Sequence, residues 1–140
     1  MSRIFFDTNM FIYMFEDEGD SGMRVGRLVE RMFARGDVLL TSAMTLGELL
    51  VRPIKEGRDD IAARYRSSLC GPGITLLPFD VRAAQAFAEL RSRGVKPPDA
   101  IQLACAATHG CDLFVGNDKA LSGLDVPGIQ FIATLDTVPI

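Results

Sequence analysis

Five short apolar runs punctuate the chain: Ile4–Asp7, Val38–Thr41, Ile74–Phe79, Asp112–Gly116 and Ile129–Ala133, each bounded by turn or capping residues. Uninterrupted apolar runs of this length suit strands buried on both faces, as in a parallel sheet, better than half-solvated antiparallel strands. Helical stretches lie between them. Thr8–Glu16 and Gly22–Arg35 follow the first run, Ser42–Arg52 and Asp59–Leu69 the second, and Val81–Arg93 and Pro98–His109 the third. Boundary residues agree with this division. Asp80 is positioned to N-cap one helix and Gly94 to end it, Pro97-Pro98 presets the first turn of the next, and Gly110 follows its end. Pro53 is expected to stop the helix that begins at Ser42. In the last helix Ile101, Ala104, Cys105 and Thr108 recur at helical spacing and make a core stripe. Strands alternating with helices predict right-handed βαβ units and an α/β fold, a three-layer α/β/α sandwich around a mostly parallel sheet of about five strands. No repeat, linker or compositional break divides residues 1–140, so a single domain is expected.

With 140 residues, 48% of them hydrophobic, such a domain can bury a core without disulfides or structural metal. Fifteen Lys+Arg against eighteen Asp+Glu give a formal charge of −3, which excludes a generally basic nucleic-acid coat. Any nucleic-acid contact must come from local patches. No apolar run approaches the roughly 18 residues of a membrane span, and Asp7 interrupts the N-terminal apolar stretch before a signal-peptide core forms. Three cysteines, Cys70, Cys105 and Cys111, cannot all pair within one chain, so a reduced, cytoplasmic setting is expected.

In parallel α/β sheets, sites lie in the crevice beyond the carboxyl ends of the strands. Asp7 ends the first run, Asp118 sits two residues past the fourth, and Asp99 falls in the first turn of a helix. Glu48, about two turns into the helix after the second run, faces the same edge if that helix packs back along the sheet. Clustered carboxylates repel one another. A divalent cation such as Mg²⁺ or Mn²⁺, which prefers oxygen ligands, removes that repulsion and can activate water. Acids plus metal with no obvious protein nucleophile point to phosphodiester hydrolysis. Each acid also has a purely structural reading. Asp7 and Asp118 can cap the elements that follow them, Thr45-x-x-Glu48 has the form of a capping box, and Asp99 complements a helix dipole. Their joint placement favours a site.

The D-T-N at Asp7–Asn9, T-x-x-E at Thr45–Glu48, P-P-D-A-I-Q-L-A at Pro97–Ala104 and L-F-V-G-N-D at Leu113–Asp118 together resemble the PIN domain. Within it they look most like the VapC-type toxins of toxin–antitoxin pairs. The resemblance implies an Mg²⁺- or Mn²⁺-dependent ribonuclease in which Asp7, Glu48, Asp99 and Asp118 form an acidic quartet, with Asp7, Asp99 and Asp118 on the metal. It further implies that Thr8, Asn9, Thr45 and Asn117 orient carboxylates or water, that the partners are RNA and a cognate antitoxin, and that the protein is a homodimer with no membrane partner. Two positions depart from the family pattern: Gly116 stands where Thr or Ser is common, and Leu121 where an aromatic is common.

Arg52, Lys55 and Arg58, just past Glu48, are candidate RNA contacts, and Arg24, Arg27, Arg31 and Arg35 line one helix face as either a phosphate track or a solvated surface. The apolar Phe11, Ile12, Met14 and Phe15, with Met32 and Phe33, are read either as core or as a groove for an antitoxin helix or a second subunit. Cys105-x3-His109-x-Cys111 has zinc-type ligands but no fourth one. No GxSxG, Walker A or GxGxxG motif occurs. Two other readings compete: a phosphotransfer protein using Asp7, which lacks the usual further acid, and a non-catalytic module whose acidic pocket takes a partner's basic residues.

Overall fold

All five apolar runs form strands, and every pairing between them is parallel. The computed structural model describes residues 1–140. In chain order the elements are β1 (Arg3–Phe6), α1 (Thr8–Glu16), α2 (Asp20–Arg35), β2 (Val38–Ser42), α3 (Ala43–Lys55), α4 (Asp59–Leu69), β3 (Thr75–Leu77), α5 (Val81–Ser92), α6 (Pro97–Thr108), β4 (Cys111–Gly116) and β5 (Ile129–Thr134), with a 3₁₀ turn at Lys119–Gly123. The sheet order is β3-β2-β1-β4-β5. Chain order therefore runs outward from β1 to β3 on one side and from β4 to β5 on the other. Strand order reverses between β1 and β4, and a crevice opens at such a switch point. The residues just past β1 and β4 stand at that crevice.

Alternation along β1 divides the core into two layers. Ile4 and Phe6 pack with Met10, Val25, Leu28, Leu49 and Leu69 from α1 to α4, while Phe5 packs with Phe114, Leu103 and Leu90 on the α5–α6 side. The Phe5 and Phe114 rings stack with centroids 5.1 Å apart, a geometry that adds about 1 kcal/mol to the burial of both side chains. Phe11 is fully buried, and Ile12, Met14 and Phe15 are half-buried against the same layer, so most of the apolar surplus of α1 belongs to the core. Met32 joins that core, whereas Phe33 is 59% exposed.

Several expected boundaries are corrected. Asp7 lies outside β1 as the N-cap of α1, and β3 is only three residues long. Pro53 does not stop α3, which continues to Lys55. Proline removes one backbone donor and crowds one carbonyl. Near a C-terminus that loss is confined to the last turn, and Pro53 is buried beside Ile61 and Tyr65 of α4. The stop comes instead at Gly57, whose φ of +68° closes the turn while Arg58 donates its backbone N–H to the carbonyl of Pro53. No helix is long and apolar enough to cross a membrane.

Candidate functional site

Asp7 stands at the switch point. Its backbone N–H extends the β1–β4 pairing by donating to Val115 O (3.0 Å), and its Oδ1 caps α1 by accepting from Thr8 N (2.8 Å). Oδ1 also accepts from Gln102 Nε2 at 3.1 Å. Oδ2 accepts no hydrogen bond from the protein and faces Gly116, where a Cβ would sit 3.3 Å away. Burial pushes the Asp7 carboxyl up to about 6, opposed by the Thr8 and Gln102 hydrogen bonds and reinforced by the charges of Asp99 and Glu48. Capping and site geometry are therefore two uses of one side chain.

The structure brings Glu48 and Asp99 to the same place. Ser42 Oγ caps α3 by accepting from Thr45 N (3.3 Å), so α3 starts before Thr45 and no capping box forms. Glu48 is left mid-helix and exposed, and its Oε1 accepts from Thr8 Oγ1 at 2.6 Å. Asp99, in the first turn of α6, is raised by burial, then by the charges of Asp118 and Glu48, with Lys96 opposing. Asp7, Thr8, Asn9, Glu48, Asp99 and Gln102 line a cleft of about 280 Å³. Asp118 lies next door. It caps the 3₁₀ turn through Ala120 N (2.9 Å) and shares with Asp99 a second cleft of about 280 Å³. Asp99 forms part of the wall of both clefts.

Gln102 organises this cleft, and its role is not evident in the sequence. It is 1% exposed, and its Nε2 reaches Thr45 Oγ1 (2.7 Å) and Thr8 Oγ1 (3.2 Å) as well as Asp7, while its Oε1 accepts from Ser42 Oγ. Asp7 is a carboxylate acceptor, so the amide nitrogen must face it. That fixes the direction of the chain: Ser42 donates to Gln102, Gln102 to Asp7 and Thr45, Thr45 to Thr41, and Thr41 to the carbonyl of Phe6. The sequence signals are its place in the P-P-D-A-I-Q-L-A stretch and a polar side chain in the apolar run Ile101–Ala106, one helical turn after Asp99. Ser42 and Thr41 belong to the same buried network.

The other expected site residues divide. Thr8 and Thr45 are buried within the network, Asn9 is exposed at the cleft wall, and Asn117 is exposed just past β4. Arg52 and Arg58 are paired with Glu56 (3.1 Å) and Asp60 (3.3 Å) and line a different groove, and Lys55 is exposed nearby. In the α2 row, Arg24 pairs with Asp136 (2.8 Å) and Arg35 with Asp37 (3.4 Å). The zinc-type triplet does not assemble: His109 Nδ1 meets the Cys105 carbonyl at 2.9 Å, and burial pushes the Cys105 and Cys111 thiols up to about 11 and about 12.

None of the four acids is in a salt bridge. No three of them stand close enough to ligate one ion together. The donor set nevertheless fits a hard divalent cation. Mg²⁺ is commonly held by one or two carboxylates with water completing its shell, and Asp7 and Asp99, neither in a salt bridge, share a cleft.

The family profile of the PIN domain matches residues 4–127. No curated protein matches the sequence. Among solved structures, a chain of VapBC2 from Rickettsia felis, crystallised bound to a promoter DNA fragment, is similar with a TM-score of 0.75 at 15% identity, covering 94% of this chain and 98% of that one. DNA-bound VapBC from Salmonella typhimurium is similar with a TM-score of 0.68 at 22% identity, covering 96% and 99%. Mycobacterium tuberculosis VapC20, described as a sarcin-ricin loop cleaving toxin, gives 0.67 at 16% identity over 87% and 96%. At such identities the likeness carries the fold.

Proposed function

The chain belongs to the PIN-domain family, and from that premise we propose that it is a metal-dependent endoribonuclease, the toxin of a type II toxin–antitoxin pair. The observation that carries this reading is the cleft lined by Asp7, Glu48 and Asp99, none of which forms a salt bridge. VapC20, the sarcin-ricin loop cleaving toxin, shares the fold and supports RNA as the substrate. The VapBC complexes that share it support an antitoxin partner, and family resemblance extends the proposal to a homodimer in a cytoplasmic setting.

In this reading Asp7 and Asp99 would hold Mg²⁺ or Mn²⁺ with water completing its shell, and Asp118 would act beside Asp99 from the neighbouring cleft. The bound ion supplies Lewis acidity, lowering the pKa of water and offsetting charge on the phosphate oxygens. The protein's own groups hold the geometry. Gln102 and Thr8 N fix Asp7 Oδ1 so that Oδ2 stays free, and Thr8 Oγ1 holds Glu48, which is placed to take a proton from attacking water. Asn9 would orient water at the cleft wall, and Asn117, just past β4, would orient a carboxylate or water.

The test is cleavage of total cellular RNA by partner-free protein with Mn²⁺ or Mg²⁺. Discrete fragments that disappear with EDTA and in Asp99→Asn are expected. Because no three acids form a closed ligand set, the non-catalytic reading keeps one observation in its favour. Folded protein that cuts nothing, yet binds a basic peptide without metal, would establish that alternative.

A second expectation concerns Gly116. A Cβ there would stand 3.2 Å from Phe114 Cε1 and 3.3 Å from Asp7 Oδ2, closer than ordinary contact, and Phe114 is locked in the core. Gly116→Ala is therefore expected to displace the Asp7 carboxylate. Cleavage should fall roughly tenfold, as for loss of a ligand-orienting contact, while the melting temperature changes by only a few degrees, as for about 1 kcal/mol. Unchanged cleavage would mean that Oδ2 is not the working oxygen.

A further inference from the structure

The acid cleft presents an electrostatic problem for an RNA nuclease. Its walls are Asp7, Glu48 and Asp99 with no cation among them, and the chain carries a net charge of −3. An RNA backbone approaching it needs positive charge nearby. Arg52 and Arg58 do not supply it freely, since each is engaged by an acid. The second cleft, across Asp99, offers two cations, set opposite the acids Asp99 and Asp118 that also line it. Arg93 and Lys96 stand on its rim in the α5–α6 connection, both exposed and neither in a salt bridge, and Arg93 donates only to the carbonyl of Asp125 (3.0 Å). Its floor is apolar: Val95 from the same connection, with Leu121 and Leu124 from the 3₁₀ turn and its end.

A cationic rim over an aliphatic floor matches one unstacked nucleotide, with its phosphate against the guanidinium and ammonium and its base against the leucines. Single-stranded RNA can splay out a base in this way, whereas a duplex keeps its bases stacked inside. We propose that this second cleft is a nucleotide subsite, which seats the residue of a single-stranded RNA adjoining the phosphate that is cut at Asp7 and Asp99. The inference rests on the ribonuclease reading. Asp99, shared by both clefts, then marks the point where the strand crosses from binding to chemistry. An aliphatic floor reads the face of a base and not its edge, so the subsite selects single strands more than sequence.

The probe is a short fluorescein-labelled single-stranded RNA, bound to Asp7→Asn protein in chelator and followed by anisotropy over a salt series. Adding Arg93→Ala and Lys96→Ala together should weaken binding roughly tenfold, and should make the slope of log K against log salt shallower by about 1.4, the value for two phosphate contacts on a single strand. Leu124→Asp should weaken binding without flattening that slope. An Arg64→Ala and Arg66→Ala pair, on α4, should change neither quantity. In the metal-loaded wild-type background the Arg93 and Lys96 changes should raise KM and leave kcat within about twofold. Equal affinity and equal slope in the doubly substituted protein would overturn the subsite. If that protein also cleaves with unaltered KM, the nuclease reading stands without it. If the parent binds no single-stranded RNA and the wild type cleaves none, both fail.

Discussion

Asp7→Asn is expected to abolish RNA cleavage and, in the absence of metal, to make the protein more stable at neutral pH. Both effects come from one carboxylate. Folded, it holds its proton up to about 6 because burial and the charges of Asp99 and Glu48 disfavour ionisation, against an ordinary value of 3.8. The folded state therefore binds this proton more tightly than the unfolded chain does. Stability from this group is fully present below pH 3.8 and is lost as pH rises through about 6. The gap corresponds to about 3 kcal/mol at pH 7 as an upper figure. An amide there keeps an oxygen for Thr8 N and Gln102 Nε2 but cannot ionise, so it escapes the loss. Chelator-treated wild type and variant, compared by urea unfolding, should be equally stable in acid and diverge in favour of the variant above pH 6. Mn²⁺ should then raise the melting temperature of the wild type at pH 7 and leave the variant unmoved, since only the state that binds the ion gains from it. Superimposable curves at all pH values would mean that Asp7 is not held under electrostatic strain.

Part of the candidate cleft is legible in the sequence. A strand-end Asp at a parallel switch point, an exposed mid-helix Glu and a first-turn Asp can be located from helix and strand periodicity alone, and all three line one cleft. Periodicity does not give sheet order. That β4 enters beside β1, and not beside β3, depends on a crossover of the whole α5–α6 segment, which no local pattern encodes. Pro53 misleads for a related reason, since its cost is local and its burial against α4 is not. The pairing of Arg52 with Glu56 is written in the sequence as an i, i+4 pair, whereas the placing of Arg93 and Lys96 beside Asp99 is not. Asp118 follows its strand as expected, but the 3₁₀ turn it caps carries it into the second cleft.

Gln102 stays hidden in the sequence because what makes it important is three-dimensional. Its partners Asp7 and Thr45 lie 95 and 57 residues away. Gln102→Leu, which keeps the bulk of the side chain but removes its donors and acceptor, leaves the buried Ser42 hydroxyl without its acceptor and frees Asp7 Oδ1 from one of two donors. Each buried polar group left without a partner costs about 1–3 kcal/mol, so a loss of about 3 kcal/mol in urea unfolding is expected. A simple packing defect could do as much. The distinguishing readout is the pH profile of cleavage. The Gln102 hydrogen bond lowers the Asp7 carboxyl, so its removal should move the acidic limb of activity to higher pH, with cleavage at the optimum down about 10–100-fold. Gln102→Glu should move that limb further, because it retains an acceptor for Ser42 but sets a second carboxylate against Oδ1. If both variants lose stability yet keep the wild-type profile, Gln102 supports the fold alone and the orientation of Asp7 comes from the α1 cap.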